Sequence, residues 1–129
     1  MRVYDQEIDT RDFIRYVQEK SILRANRWHE GDFKSWSGLE WAGALCGEAG
    51  EAANVAKKLK RLEDEIQGNG ASEHRFDTRD ELVQKLGREC ADVFLYLVLL
   101  AARYDIDLST KVVDTFNAKS VEMGFPERL

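Results

Sequence analysis

The sequence predicts an all-α protein of four helices, and three observations carry that expectation. Its one proline is Pro126, so nothing upstream breaks a helix by removing a backbone donor. Apolar and small residues recur at spacings of three and four, the period of a helix with one buried face. Hydrophobic residues make up 43% of the 129, enough for a core in a single domain spanning residues 1–129.

The first helix is expected from Thr10 to His29, with Phe13, Val17 and Leu23 on its apolar side and Thr10 as its cap. The stretch WHEGDFKSWSG ends it through Gly31 and Gly38, with Trp28 and Trp36 in or beside the break. From about Leu39 to Ile66 the residues Leu45, Ala49, Ala52, Ala56, Leu59, Leu62 and Ile66 keep helical spacing and define the second helix. Gln67 to about Thr78 is polar and glycine-bearing, and reads as an exposed connection.

The third helix is expected from near Asp80 to Tyr104, and its second half, VFLYLVLLAA, is apolar on every side. Such a helix is normally enclosed by protein. A chain this small has little surface with which to enclose it, so a subunit interface is expected there. DIDLST then makes a turn with Asp107 or Ser109 as cap, and the fourth helix carries Val112, Val113, Phe116 and Met123.

The net charge of −5 and pI near 5.1 exclude the broad basic face by which proteins neutralise the phosphates of a nucleic acid polymer. The amino terminus lacks the basic and apolar regions of a signal peptide, and the run Val93 to Ala102 is far short of the roughly 20 residues that span a bilayer. A soluble cytoplasmic protein without membrane association is expected. Cys46 and Cys90 sit on apolar helical stretches and read as small core residues. They do not suggest a disulfide scaffold.

The chemistry concentrates in four acids. Glu48 and Glu51 are three apart, as are Glu89 and Asp92, so each pair projects from one helix face. The first face continues to Val55 and Lys58, the second to Tyr96. Either pair alone also suits a solvated helix surface, but these acids lie among Leu45, Ala49, Ala52 and the apolar run after Asp92. Carboxylates partly buried in such surroundings need cations. An oxygen-only donor set suits Mg²⁺ or Mn²⁺, which keep waters and bind phosphate oxygens. Gly47 and Gly50 each cost a helix interior about 1 kcal/mol relative to alanine. They read either as room for acids on neighbouring helices to share ions or as simple relief of crowding.

At these residues the sequence resembles the MazG-like family of all-α nucleoside triphosphate pyrophosphohydrolases. The resemblance runs through GEAGEAANVAKKLKR, RECADVFLYLVLLAARYDIDL and FNAKSVEMGFP, covering roughly Leu39 to the carboxyl terminus. It implies a four-helix bundle, oligomeric through its helices as a homodimer or homotetramer. By position it implies that Glu48, Glu51, Glu89 and Asp92 bind two or more Mg²⁺ or Mn²⁺ ions, with Glu51 or Glu48 orienting water. The implied reaction cuts a nucleoside triphosphate into monophosphate and pyrophosphate.

Asn117 and Lys119 match the residues that the family's last helix gives to the phosphates, although Thr115 replaces a basic residue often found there. Lys58 is a further phosphate candidate. Tyr96 and Trp28, with Trp36 and Trp41, offer rings that stack on a base, packing being the alternative for each tryptophan. The long connection and the carboxyl-terminal ending look most like the phage-associated branch, some of whose members act on purine triphosphates such as dGTP. Two other readings stand beside this one: a non-catalytic nucleotide or metal sensor on the same bundle, and a purely structural oligomerisation bundle.

Overall fold

The computed structural model describes residues 2–3, 6–7, 10–66 and 77–129. Strand β1 (Arg2–Val3) pairs antiparallel with β2 (Gln6–Glu7), Arg2 opposite Glu7 and Val3 opposite Gln6. Four helices follow: α1 (Thr10–Trp28), α2 (Gly38–Ile66), α3 (Arg79–Arg103) and α4 (Leu108–Met123), with a 3-10 turn at Phe33–Ser35 between the first two. The helices match the all-α expectation, and the short ribbon adds to it. The expected connection from Gln67 falls, through residue 76, outside the described residues, as does the side chain of Thr10 proposed to cap α1.

Local chemistry sets the helix ends. Before α2, the Ser37 hydroxyl accepts from Glu40 N–H (3.1 Å) while the Glu40 carboxylate accepts from Ser37 N–H (2.6 Å). Thr78 and Glu81 repeat this reciprocal arrangement before α3, at 3.2 Å in each direction. Each box satisfies two of the donors that a helix start leaves unpaired. Of the two candidates at α4 the cap is Asp107, whose side chain accepts from Thr110 N–H. Gly124, at φ 72°, closes that helix, with its own N–H bonded to Val121 O (3.1 Å) and Phe125 N–H to Ser120 O (2.8 Å).

The chain divides into two compact units, one formed by Met1–Trp41 with Leu97–Leu129, the other by Ala42–Tyr96. In the first, α1 packs on α4, and the buried apolar residues are Ala25, Phe33, Trp41, Val98, Leu99, Ala101 and Ala102. Trp41 is 2% exposed, its ring 4.7 Å from that of Trp36 and 5.3 Å from that of His29. Its indole N–H donates to Phe33 O (3.2 Å).

The buried side of α1 differs from the expectation. Gln18, Ser21 and Ala25 are buried, Phe13 and Val17 are half-buried, and Leu23 is exposed. Gln18 is accommodated because the neighbouring backbone presents acceptors: its amide donates to Val98 O and Ile106 O, both at 3.1 Å. Gln18→Ala is expected to destabilise the fold by about 1–3 kcal/mol, since it removes two hydrogen bonds made by a buried side chain and its packing. Urea unfolding measures this, and a midpoint equal to that of the parent would remove Gln18 as a tie.

Arg15 adds an exposed tie from α1, donating to Asp107 at 3.2 and 2.9 Å. Hydrogen bonds from Arg15 and Thr110 hold the Asp107 carboxyl below its ordinary value. The stabilisation linked to Asp107 is therefore present above that ordinary value and lost as pH falls through the depressed one.

The apolar half of α3 is not enclosed evenly. Val98 and Leu99 are buried while Leu97 is 36% exposed. Among the described residues, the exposed large apolar side chains lie in the first unit except for Val83, and they include Leu23, Trp28, Leu39, Val121, Met123 and Phe125.

In the second unit Val55, Leu59 and Leu62 of α2 meet Leu82 of α3, with Leu86 packed against them. This seam lies one residue away from part of the expected face: Val55 is buried, and Ala49 and Ala56 are exposed. Cys46 and Cys90, expected in the core, are exposed free thiols, because positions 46 and 90 fall off the seam on their helices.

Candidate metal centre

The apolar seam of the second unit ends in acids. Counting back along α2 from Leu62, Leu59 and Val55, the same stripe reaches Ala52 and Glu48; counting forward along α3 from Leu82 and Leu86 it reaches Glu89. Glu48 and Glu89 thus occupy places where the helical period would otherwise put apolar side chains. Both are half-buried as a result.

Glu48, Glu89 and Asp92 each bring one carboxylate oxygen to within 4.8 Å of the others. Oε2 of Glu89 is buried, and no hydrogen-bond donor reaches it among the described residues. The Glu89 carboxyl is held above its ordinary value, first by burial, then by the charges of Glu51 and Glu48, by a hydrogen bond with Glu51 and by the charge of Asp92. Burial and the surrounding negative charges thus favour the neutral form of Glu89.

The two sequence pairs are accordingly brought together, with different parts for their members. Glu48, Glu89 and Asp92 form the convergent triad, and Glu51, exposed on α2, acts on Glu89 from its edge. The spacing alone does not single out Glu89 as the acid of the four whose carboxyl is raised. The signal available was its position seven residues after Leu82 and three after Leu86, which places it on the buried stripe.

The glycines do not act within this chain as expected. A Cβ added at Gly47 or Gly50 would meet no atom within 4 Å among the described residues. They face away from the α2–α3 seam, so close approach of those two helices does not depend on them.

Of the other candidates, Lys58 is exposed on α2 and Tyr96 is half-buried on α3, both in the second unit. Trp28, Asn117 and Lys119 belong to the first unit. Trp28 is 73% exposed, with the Arg24 guanidinium 5.7 Å from its ring centre. Asn117 pairs with Leu129, and Lys119 donates to both Glu122 oxygens at 3.2 Å. Trp36 and Trp41 serve packing, through their mutual ring contact.

Burial and like charges raise Glu89 in the fold, so protonation of Glu89 favours folding. That stability is present below the ordinary glutamate value and lost as pH rises through the raised one. In chelator near neutral pH, Glu89→Gln is expected to melt several degrees above the parent, the gap closing as pH falls through the carboxylate range. Mn²⁺ should raise the melting temperature of the parent and leave the variant nearly unmoved. Equal Mn²⁺ responses would take Glu89 out of the centre.

Among the described residues no helix is long and apolar enough to cross a membrane. No family model matches the chain, and no solved structure matches it. The chain is similar to the gene 37 protein of Mycobacterium phage L5, 38% identical over 81 residues. That match covers 62% of this chain and 61% of the phage protein. A likeness to a phage protein over less than two thirds of its length is what the comparisons establish.

Proposed function

We propose that this chain is a metal-dependent nucleoside triphosphate pyrophosphohydrolase of the MazG-like type, associated with phage, with a purine (d)NTP such as dGTP as its substrate. The observation that carries the reading is the buried Glu89 oxygen that no donor among the described residues reaches, set beside oxygens of Glu48 and Asp92. The triad contains oxygen donors and neither histidine nor cysteine, which fits Mg²⁺ or Mn²⁺ better than zinc.

Glu48, Glu89 and Asp92 would hold the metal, with Glu51 completing the donor set. Bound there, Mg²⁺ or Mn²⁺ supplies polarisation of the phosphate oxygens and a lowered pKa for water. The residues themselves do the rest. Glu51, at the exposed edge of the cluster, orients water and accepts its proton, Glu48 being the alternative. The water oxygen bonds to phosphorus as the bridge between the α- and β-phosphates breaks, leaving monophosphate and pyrophosphate. Within the same unit as the acids, Lys58 is assigned to phosphate oxygens and Tyr96 to the base. The exposed apolar side chains of the first unit support a homodimer or homotetramer.

Incubating the purified protein with each common NTP and dNTP, with Mg²⁺, Mn²⁺ or chelator, tests the reading by chromatography of the products. Metal-dependent monophosphate plus pyrophosphate is expected, fastest with a purine. Nucleotide binding without pyrophosphate release would replace the hydrolase with a sensor.

A further inference from the structure

Leu23 is 57% exposed on α1, on the side opposite buried Ser21 and Ala25. Glu19 stands four residues before it and Arg27 four residues after it, both exposed. Among the described residues neither of these two has an ion pair. Residues four apart form one of the ridges by which helices pack. The outward ridge of α1 therefore runs acidic, apolar, basic, and a copy of it laid alongside in the opposite direction runs basic, apolar, acidic. The ridge is its own complement. The cations on its flank are engaged within α1, Lys20 lying 5.5 Å from the ring centre of Tyr16 and Arg24 5.7 Å from that of Trp28.

Resting on the oligomeric part of the function proposed above, we propose that α1 crosses α1 of a second copy about a two-fold axis at Leu23. Ridges of residues four apart interdigitate when two helices are inclined at about 50°, the commonest helix packing. With the two helices running in opposite directions, Glu19 of each copy meets Arg27 of the other. One leucine contact is thus flanked by two identical ion pairs, the isologous pattern of a two-fold dimer. The charges select this occupant: a uniformly acidic partner would set like charge against Glu19, and a uniformly basic one against Arg27. Two crossed helices bury less than the roughly 1,200 Å² at which standard interfaces begin, so the association is weak and shows at high protein concentration.

Charge reversal tests the crossing, read by sedimentation equilibrium of the full chain. Glu19→Arg and Arg27→Glu each set like charges across the two-fold axis, and each is expected to weaken self-association about tenfold. Mixed in equal amounts, the two variants pair every cation with an anion again, so the mixture should associate about as tightly as the parent. Both positions are exposed, and helix content by circular dichroism should stay that of the parent. Equal self-association by the parent and both variants, or a mixture no tighter than its components, overturns the α1 crossing and leaves the oligomer to another face. A parent that stays monomeric at its highest soluble concentration overturns the crossing and the oligomeric reading together.

Discussion

If the chain acts as the proposed hydrolase, Glu48→Gln and Asp92→Asn are each expected to reduce triphosphate hydrolysis by about 100- to 1,000-fold while leaving helix content by circular dichroism unchanged. Each change keeps nearly the same shape and removes one negative charge from a cluster whose three oxygens lie within 4.8 Å of one another. Loss of one charged donor weakens ion binding and the field that the ion places on the phosphate together. Lys58→Ala is the contrasting change: its ammonium is exposed, where water screens it, and a loss of a few-fold is expected. Full activity in both acid variants, at saturating Mg²⁺ and at limiting Mg²⁺, would sink the site.

Trp41→Ala should be the most destabilising single change in the first unit, at about 3–5 kcal/mol. The side chain is 2% exposed and touches Trp36, Phe33 and His29, and its removal takes the indole donor from the Phe33 carbonyl. Trp41→Phe separates these contributions, keeping most of the packing and giving up the hydrogen bond for about 1–2 kcal/mol. Trp28→Ala, at a site 73% exposed, should stay within about 0.5 kcal/mol of the parent. Denaturant midpoints decide, and equal losses at positions 28 and 41 would contradict the packing described.

The three tryptophans also show where sequence reasoning reaches its limit. All lie within one short stretch and all carry a ring suited to stacking on a base, yet Trp36 and Trp41 pack together while Trp28 stays in solvent. Side-chain chemistry does not distinguish these fates, because burial depends on neighbours brought from elsewhere in the chain. The cysteines illustrate the same point in reverse. Their usual preference for the interior suggested a core position, and their place around the helix left both exposed.

The helical character of the chain and the acids that share a face are legible in the sequence, because periodicity is local and needs no distant contact to be read. The Ser37/Glu40 and Thr78/Glu81 boxes and the choice of Asp107 over Ser109 as cap emerge from the structure. Which side of each helix is buried follows from tertiary packing. That packing puts Gln18, Ser21 and Ala25 inside, raises the Glu89 carboxyl through burial and neighbouring acids, and ties Asn117 to Leu129. The reason is rotational: a period says which residues align along a helix, while the partner packed against it fixes the angle at which that stripe meets the interior.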